Sequence, residues 1–309
     1  MIWVTVDVDG KQYKEPFSKG ILSRSLNVSD IGIERAHEIA EDIETDLIEN
    51  GITEISNSEL ADAVWEHLNS TNPDAAMKYQ NWRSLRISKK PLIILIGGAS
   101  GVGTSSMAFE LANRLRLKNI ISTDVIREVM RKIVSKELSP VIHKSSFDAY
   151  EAIRTPSIRI DSVVEGYISQ AEVVNVGVEA IIERSIKEGI STIIEGVHIV
   201  PGFIREDLLK DNNIIMFTLT VDDEEAHKQR FYSRCRQPWV KRPLDRYMDN
   251  FETIRKTQMF LIEQAKINDT RIINNVDINE TIDIMVNDIL DEFGGVSDVG
   301  EASKRDNDN

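Results

Sequence analysis

The sequence predicts an α/β protein, a parallel sheet with helices on both faces, joined to a small and mostly α-helical amino-terminal module. Three observations predict it. From residue 92 onward short apolar runs alternate with amphipathic helical stretches, a rhythm that implies parallel strands covered on both sides. Residues 1–90 have a different texture, one strand pair followed by helices. Between the two textures, the glycine-rich turn GASGVGTS, 98–105, separates the apolar run 92–96 from a helical stretch at 106–117.

In the first ninety residues, 2–8 alternate like a half-buried strand, Asp9-Gly10 signals a hairpin turn, and 13–17 return as the partner strand. Helical periodicity then covers 19–26, 34–50, 57–68 and 73–85. Gly51 closes the second of these, and Ile39, Ile43, Leu47 and Ile48 give it an apolar stripe. Ser88 to Pro91 read as a connector, because proline disfavours helix in the residue before it. Strands follow at 92–96, 119–122, 192–195, 214–221 and 271–274, and a last helix at 279–292. The expected domains are therefore 1–90 and 91–293, with a polar, disordered tail at 294–309.

Composition bounds the function. A chain of 309 residues with 41% hydrophobic content can bury a real core. The net charge of −14 argues against nucleic acid as a partner, since phosphate backbones reward clustered lysine and arginine. Cys235 is the one cysteine, which excludes an internal disulfide and fits a cytoplasmic location. The start has no basic flank followed by an apolar core, and no run reaches the ~20 apolar residues that span a bilayer. Secretion and membrane insertion are not expected; a homo-oligomer is left open.

The turn 98–105 carries the chemistry. Gly98, Gly101 and Gly103 let the chain fold back so that peptide N–H groups of Ala99, Ser100, Val102 and their neighbours, with the positive end of the next helix, surround phosphate oxygens. The spacing fits G-x-x-x-x-G-K-[ST] except that Thr104 stands where lysine is expected. Ser105 keeps the hydroxyl that ligates Mg²⁺, and the missing charge must come from elsewhere.

The other candidates follow strands. Asp124 stands at a helix entry, with Arg127 and Arg131 on one face. It can orient or deprotonate a substrate hydroxyl, hold Mg²⁺ through water, or serve only as an N-cap, while the arginines suit an anionic substrate. Glu195 ends the 192–195 strand, followed by Gly196 and by His198, a candidate for substrate phosphate. Positive charge concentrates at Lys228, Arg230, Arg234, Arg236, Lys241, Arg242 and Arg246. This reads as a lid, with Arg230 and Arg234 closing over transferring phosphate. Lys132, Lys144 and Lys241 are further sources of the missing charge. The excursion containing His143, Lys144, Ser145 and Tyr150 is placed to cover an acceptor. On residues alone three readings stand: a kinase of a small phosphorylated acid, a kinase of another metabolite or nucleoside, and an ATP-responsive regulator without catalysis.

In this order GGASGVGTSSMAFELANRL, ISTDVIREVMRK, TIIEGVH and RFYSRCRQ resemble the archaeal 2-phosphoglycerate kinases over nearly the whole length, including Thr104 in the loop. The start, with Phe17-Ser-Lys-Gly-Ile-Leu, Ala76-Met-Lys-Tyr79 and Trp82-Arg83, resembles an ATP-cone, a small nucleotide-binding regulatory module. The resemblance implies a P-loop kinase-like fold using ATP and Mg²⁺. It also implies transfer to the 3-hydroxyl of 2-phosphoglycerate, giving 2,3-bisphosphoglycerate, toward cyclic 2,3-diphosphoglycerate.

Overall fold

The computed structural model describes residues 1–8, 11–88, 90–210, 213–235 and 244–294. The Asp9-Gly10 turn, Arg236, Lys241, Arg242 and the tail beyond Gly294 lie outside the described residues. The chain divides into two compact units, residues 1–88 with the chain from Val286 on, and residues 89–285.

In the first unit, β1 (Trp3–Val8), β2 (Lys11–Pro16), α1 (Lys19–Ser25), α2 (Ile33–Glu49), β3 (Glu54–Ser56), α3 (Asn57–Thr71) and α4 (Pro73–Ile87) follow one another. β1 pairs antiparallel with β2 as the alternation predicts, and parallel with β3. Sequence reasoning missed β3, whose three residues are too few for a period of two to register. Ser56 and Glu59 form a reciprocal capping box at the start of α3, and Asn72 caps α4 with Pro73 in its first turn. Gly51 ends α2 at φ +68°. The buried stripe of α2 is Ala36, Ile39, Ala40, Ile43 and Leu47; Ile48, expected on it, is 62% exposed because it follows Leu47 by 100° of helix turn.

The second unit holds β4 (Leu92–Gly98), α5 (Thr104–Leu115), β5 (Asn119–Ser122), α6 (Thr123–Ile133), α7 (Ser162–Glu188), β6 (Thr192–Gly196), α8 (Glu206–Leu209), β7 (Asn213–Thr220), α9 (Glu224–Cys235), α10 (Leu244–Asp249), α11 (Phe251–Ile267) and β8 (Arg271–Asn274). α12 (Ile278–Phe293) begins in this unit and ends in the other. The five strands run parallel in the order β5-β6-β4-β7-β8. β4 is buried along its whole length, as a continuous apolar run in a central strand requires. One face packs Ile93, Leu95 and Ile194 against Val174, Val178 and Ile182 of α7. Register sets the functional residues level: Glu195 pairs with Ser122 on one side and Ile96 on the other, and Gly97 pairs with both Gly196 and Thr218. The carboxyl ends of the strands, where such sheets bind ligands, thus deliver the glycine-rich turn, Asp124, Glu195 and Asn275 to one edge.

Among the described residues no helix is long and apolar enough to cross a membrane.

Candidate active site

Gly98, the last residue of β4, opens the turn, and α5 begins at Thr104. Gly101 and Gly103 hold φ of +90° and +98°, a region L-residues rarely occupy. A methyl group at Gly103 would also stand 2.9 Å from Asn275 Nδ2, and one at Gly101 2.9 Å from His227 Nε2. The first bond of α5 runs from Met107 N–H to Gly103 O at 3.0 Å. The N–H groups of Thr104, Ser105 and Ser106 therefore precede any intrahelical acceptor and face outward as the positive end of the helix.

A cavity of about 590 Å³ lies over this turn. Gly98, Ala99, Ser100, Gly101, Gly103, Thr104 and Ser105 form its floor; Val102 is buried beneath. Asp124, Glu195 and Gly196 line one side, and Arg230, Arg234, Asn275, Val276 and Ile278 another.

Glu195 is 4% exposed and accepts from Thr104 Oγ1 at 2.7 Å and Ser105 Oγ at 3.1 Å. A buried carboxylate needs such donors. Asp124 is not the cap of α6. Ser122 fills that place, its Oγ accepting from Asp124 N–H at 3.3 Å, which leaves the Asp124 side chain at the cavity wall. Arg127 Nη2 donates to Asp124 Oδ1 at 3.3 Å, and its Nη1 donates to Lys144 O.

Arg131, expected beside Arg127, pairs instead with Glu128 at 2.7 Å and does not line the cavity. His198 is also corrected. It is fully buried, with Nδ1 3.0 Å from Thr123 Oγ1 and Nε2 3.0 Å from Gln170 Oε1, so neither ring nitrogen can reach a substrate. Gln170 Nε2 donates to Val141 O at 2.5 Å and Lys144 O at 3.1 Å, which makes its Oε1 the acceptor and His198 Nε2 the donor. Burial first, and the charge of Arg127 second, lower the His198 pKa to about 3. The imidazole is a neutral strut joining the start of α6 to α7.

Arg230 and Arg234 both line the cavity, but differently. Arg234 is exposed. Arg230 does not overhang the site as a lid side chain: Nη1 donates to Val102 O at 2.7 Å and Nη2 to Asn275 O. Asn275 Nδ2 shares Val102 O at 2.8 Å, and His227 Nε2 donates to Ser100 O at 2.8 Å. His227 stacks on Phe231 at 5.4 Å, and burial lowers its pKa. Lys144 is paired with Glu151 at 2.5 Å, and Arg246 with Asp148 at 2.8 Å.

Sequence reasoning missed Asn275, Val276, Ile278, Gln170 and His227. Asn275 follows a strand, so the rule that selected Asp124 and Glu195 would have selected it. His227 lies just before the basic stretch, but it acts by donating to a backbone carbonyl, which neither charge nor spacing marks.

Backbone amides and guanidinium groups converge here on a space large enough for a nucleotide, and among the described residues no cluster of three metal-ligating side chains competes with them. Such equipment handles phosphate, and together with the parallel sheet it defines a P-loop kinase. Relatives narrow the class. The chain is 53% identical to the 2-phosphoglycerate kinase of Methanothermobacter thermautotrophicus over 287 residues, 93% of this chain and 94% of that protein. It is 44% identical to that of Methanopyrus kandleri, over 91% and 86% of the two chains, and 41% identical to that of Methanococcus vannielii, over 96% and 95%. The chain belongs to the 2-phosphoglycerate kinase family. Residues 8–87 match the ATP cone domain.

Proposed function

We propose that this phosphotransferase moves the γ-phosphoryl group of ATP to the 3-hydroxyl of 2-phosphoglycerate, giving ADP and 2,3-bisphosphoglycerate, the precursor of cyclic 2,3-diphosphoglycerate. The observation that carries the reading is the cavity that the 98–105 turn lines together with Asp124 and Glu195. Anion-binding amides and a carboxylate able to activate an acceptor thus border one space.

The amides of Gly101 and of Gly103 to Ser105 hold the β- and γ-phosphates, while the Val102 N–H donates within the turn to Ala99 O at 3.3 Å. Asp124 orients the attacking hydroxyl and takes its proton as the O–P bond forms, while Arg127 fixes that carboxylate. Arg234 neutralises charge spreading over the equatorial oxygens. Val276 and Ile278 give the apolar end of the cavity to the adenine ring.

A divalent cation fits this donor set. Mg²⁺ prefers few protein ligands and keeps its waters, and the Ser105 hydroxyl beside the Glu195 carboxylate offers one direct and one water-mediated position. Bound there, Mg²⁺ would shield the β- and γ-oxygens. Residues 1–90 are read as the cone module and 91–293 as the kinase domain, working in the cytoplasm, where ATP is supplied.

The test is ADP formation with ATP and Mg²⁺ against 2-phosphoglycerate, 3-phosphoglycerate, shikimate and nucleosides, with the product identified by ³¹P NMR. Faster turnover of a nucleoside would replace the acceptor; nucleotide binding without acceptor-dependent ADP would replace the enzyme with a regulator.

A further inference from the structure

The turn lacks the ammonium group that lysine would bring to the outer phosphates, and Thr104, in that position, spends its hydroxyl on Glu195 at 2.7 Å. Positive charge reaches the turn instead through one of its carbonyls. Arg230 Nη1 donates to Val102 O at 2.7 Å. That oxygen belongs to the same peptide unit as the N–H of Gly103. Asn275 Nδ2 adds a second donor to the same oxygen at 2.8 Å. Two peptides earlier the arrangement repeats: His227 Nε2 donates to Ser100 O at 2.8 Å, and that unit carries the N–H of Gly101. These two carbonyls of the turn are thus each held by a side-chain donor, and a planar trans peptide points its N–H away from its C=O, so the N–H groups of Gly103 and Gly101 are directed away from those donors.

We infer that Arg230 replaces the absent lysine by acting through the Val102–Gly103 peptide, with His227 doing the same at Ser100–Gly101, so that the cation strengthens the phosphate-binding amides without touching phosphate. A donor on a carbonyl polarises its peptide and makes the N–H a stronger donor, most of all when the first donor is charged and the surroundings are dry. Arg230 is placed for this: its guanidinium is held by Val102 O and Asn275 O together, so it keeps one orientation. A lysine at position 104 would need to swing to its ligand; this cation is fixed before nucleotide arrives. Arg230 and His227 are positioning residues in this scheme. The inference rests on nucleotide phosphate binding at the turn but not on the identity of the acceptor.

The experiment compares binding of ATP·Mg²⁺ and of AMP by calorimetry in the full chain, with acceptor-dependent ADP formation measured in parallel. Arg230→Gln retains a donor for Val102 O and removes the charge. It should weaken ATP·Mg²⁺ by about tenfold or more and leave AMP within about twofold, because AMP does not place β- or γ-phosphate on the turn. Arg230→Lys, which restores charge at the Val102 carbonyl, should recover most of the loss. Equal weakening of ATP and AMP, no weakening at all, or failure of lysine to rescue would overturn the inference. His227→Phe keeps the stack on Phe231 and removes only the donor to Ser100. It should also lose ATP affinity and spare AMP, and it decides the matter if Arg230→Gln does not fold; unaltered ATP affinity in a folded His227→Phe counts against the scheme. If the natural chain binds ATP but forms no ADP with 2-phosphoglycerate, the proposed reaction fails while these affinities still judge the role of Arg230.

Discussion

The carboxylate of Glu195 accepts a hydrogen bond of 2.7 Å from the hydroxyl of Thr104, the residue standing where a lysine is expected, and a second from Ser105 at 3.1 Å. A lysine at position 104 would meet this carboxylate or abandon it for phosphate; threonine leaves the helix start and the strand end tied together. Glu195→Gln keeps the shape, but its amide can accept through one oxygen only. Its N–H₂ would face one of the two hydroxyls, which must then turn from donating to accepting, at a cost of about 1–3 kcal/mol for an imperfectly paired buried group. Turnover should fall on the order of 10²-fold, with a rightward shift in Mg²⁺ dependence. Melting curves and a Mg²⁺ titration check this, and an unshifted titration would separate Glu195 from the cation.

Asp124 lines the cavity because Ser122 relieves it of capping α6. Asp124→Asn should lower turnover by about 10²–10³-fold while ATP binds as before, since the amide cannot take the acceptor's proton. Near-normal turnover would remove Asp124 from the chemistry.

His198 is buried as the neutral imidazole, its pKa lowered from 6.5 to about 3. The unfolded chain binds a proton below pH 6.5 that the folded chain refuses until about pH 3. The stability this group contributes is complete above pH 6.5 and drains away as pH falls through that window, at no more than about 1.4 kcal/mol per pH unit. Denaturant midpoints measured from pH 7 to pH 4 should drop more steeply for the natural chain than for His198→Gln. Parallel curves would mean that the ring is not held neutral.

Gly103 stands at φ +98° with Asn275 Nδ2 2.9 Å from where a Cβ would be. Gly103→Ala should cost about 1–3 kcal/mol in backbone strain and sharply reduce ATP affinity, because the turn must open to admit the methyl group. Calorimetry with ATP and a chemical melt report both.

Much of this was legible in sequence. The strands of the sheet and the site residues that end them declared themselves because a fully buried parallel strand is a run of apolar residues with a polar residue at its exit, as Ile193, Ile194 and Glu195 illustrate. The helix after the turn was read two residues late, its first turn being Thr104-Ser105-Ser106, whose side chains favour caps and loops. Direction was not legible. His198, Arg131 and Ile48 were each placed by type and spacing, and each turned out to face something the linear chain does not reveal: Gln170 from a distant helix, Glu128 on the same one, and solvent. The donors to the carbonyls of the turn were hidden for a related reason, since they come from His227 and Asn275, more than a hundred residues further along the chain.

The pairing of Glu195 with Ser122 and Ile96 works as a ruler across three strands. Because neighbouring side chains of a strand point to opposite faces, inserting or deleting a single residue within β6 would swing this carboxylate to the other side and bring an isoleucine to the phosphate turn. Redesign for a different acceptor should therefore leave the strands' lengths untouched and work in the long crossing between α6 and α7, where added or removed residues alter reach without changing parity.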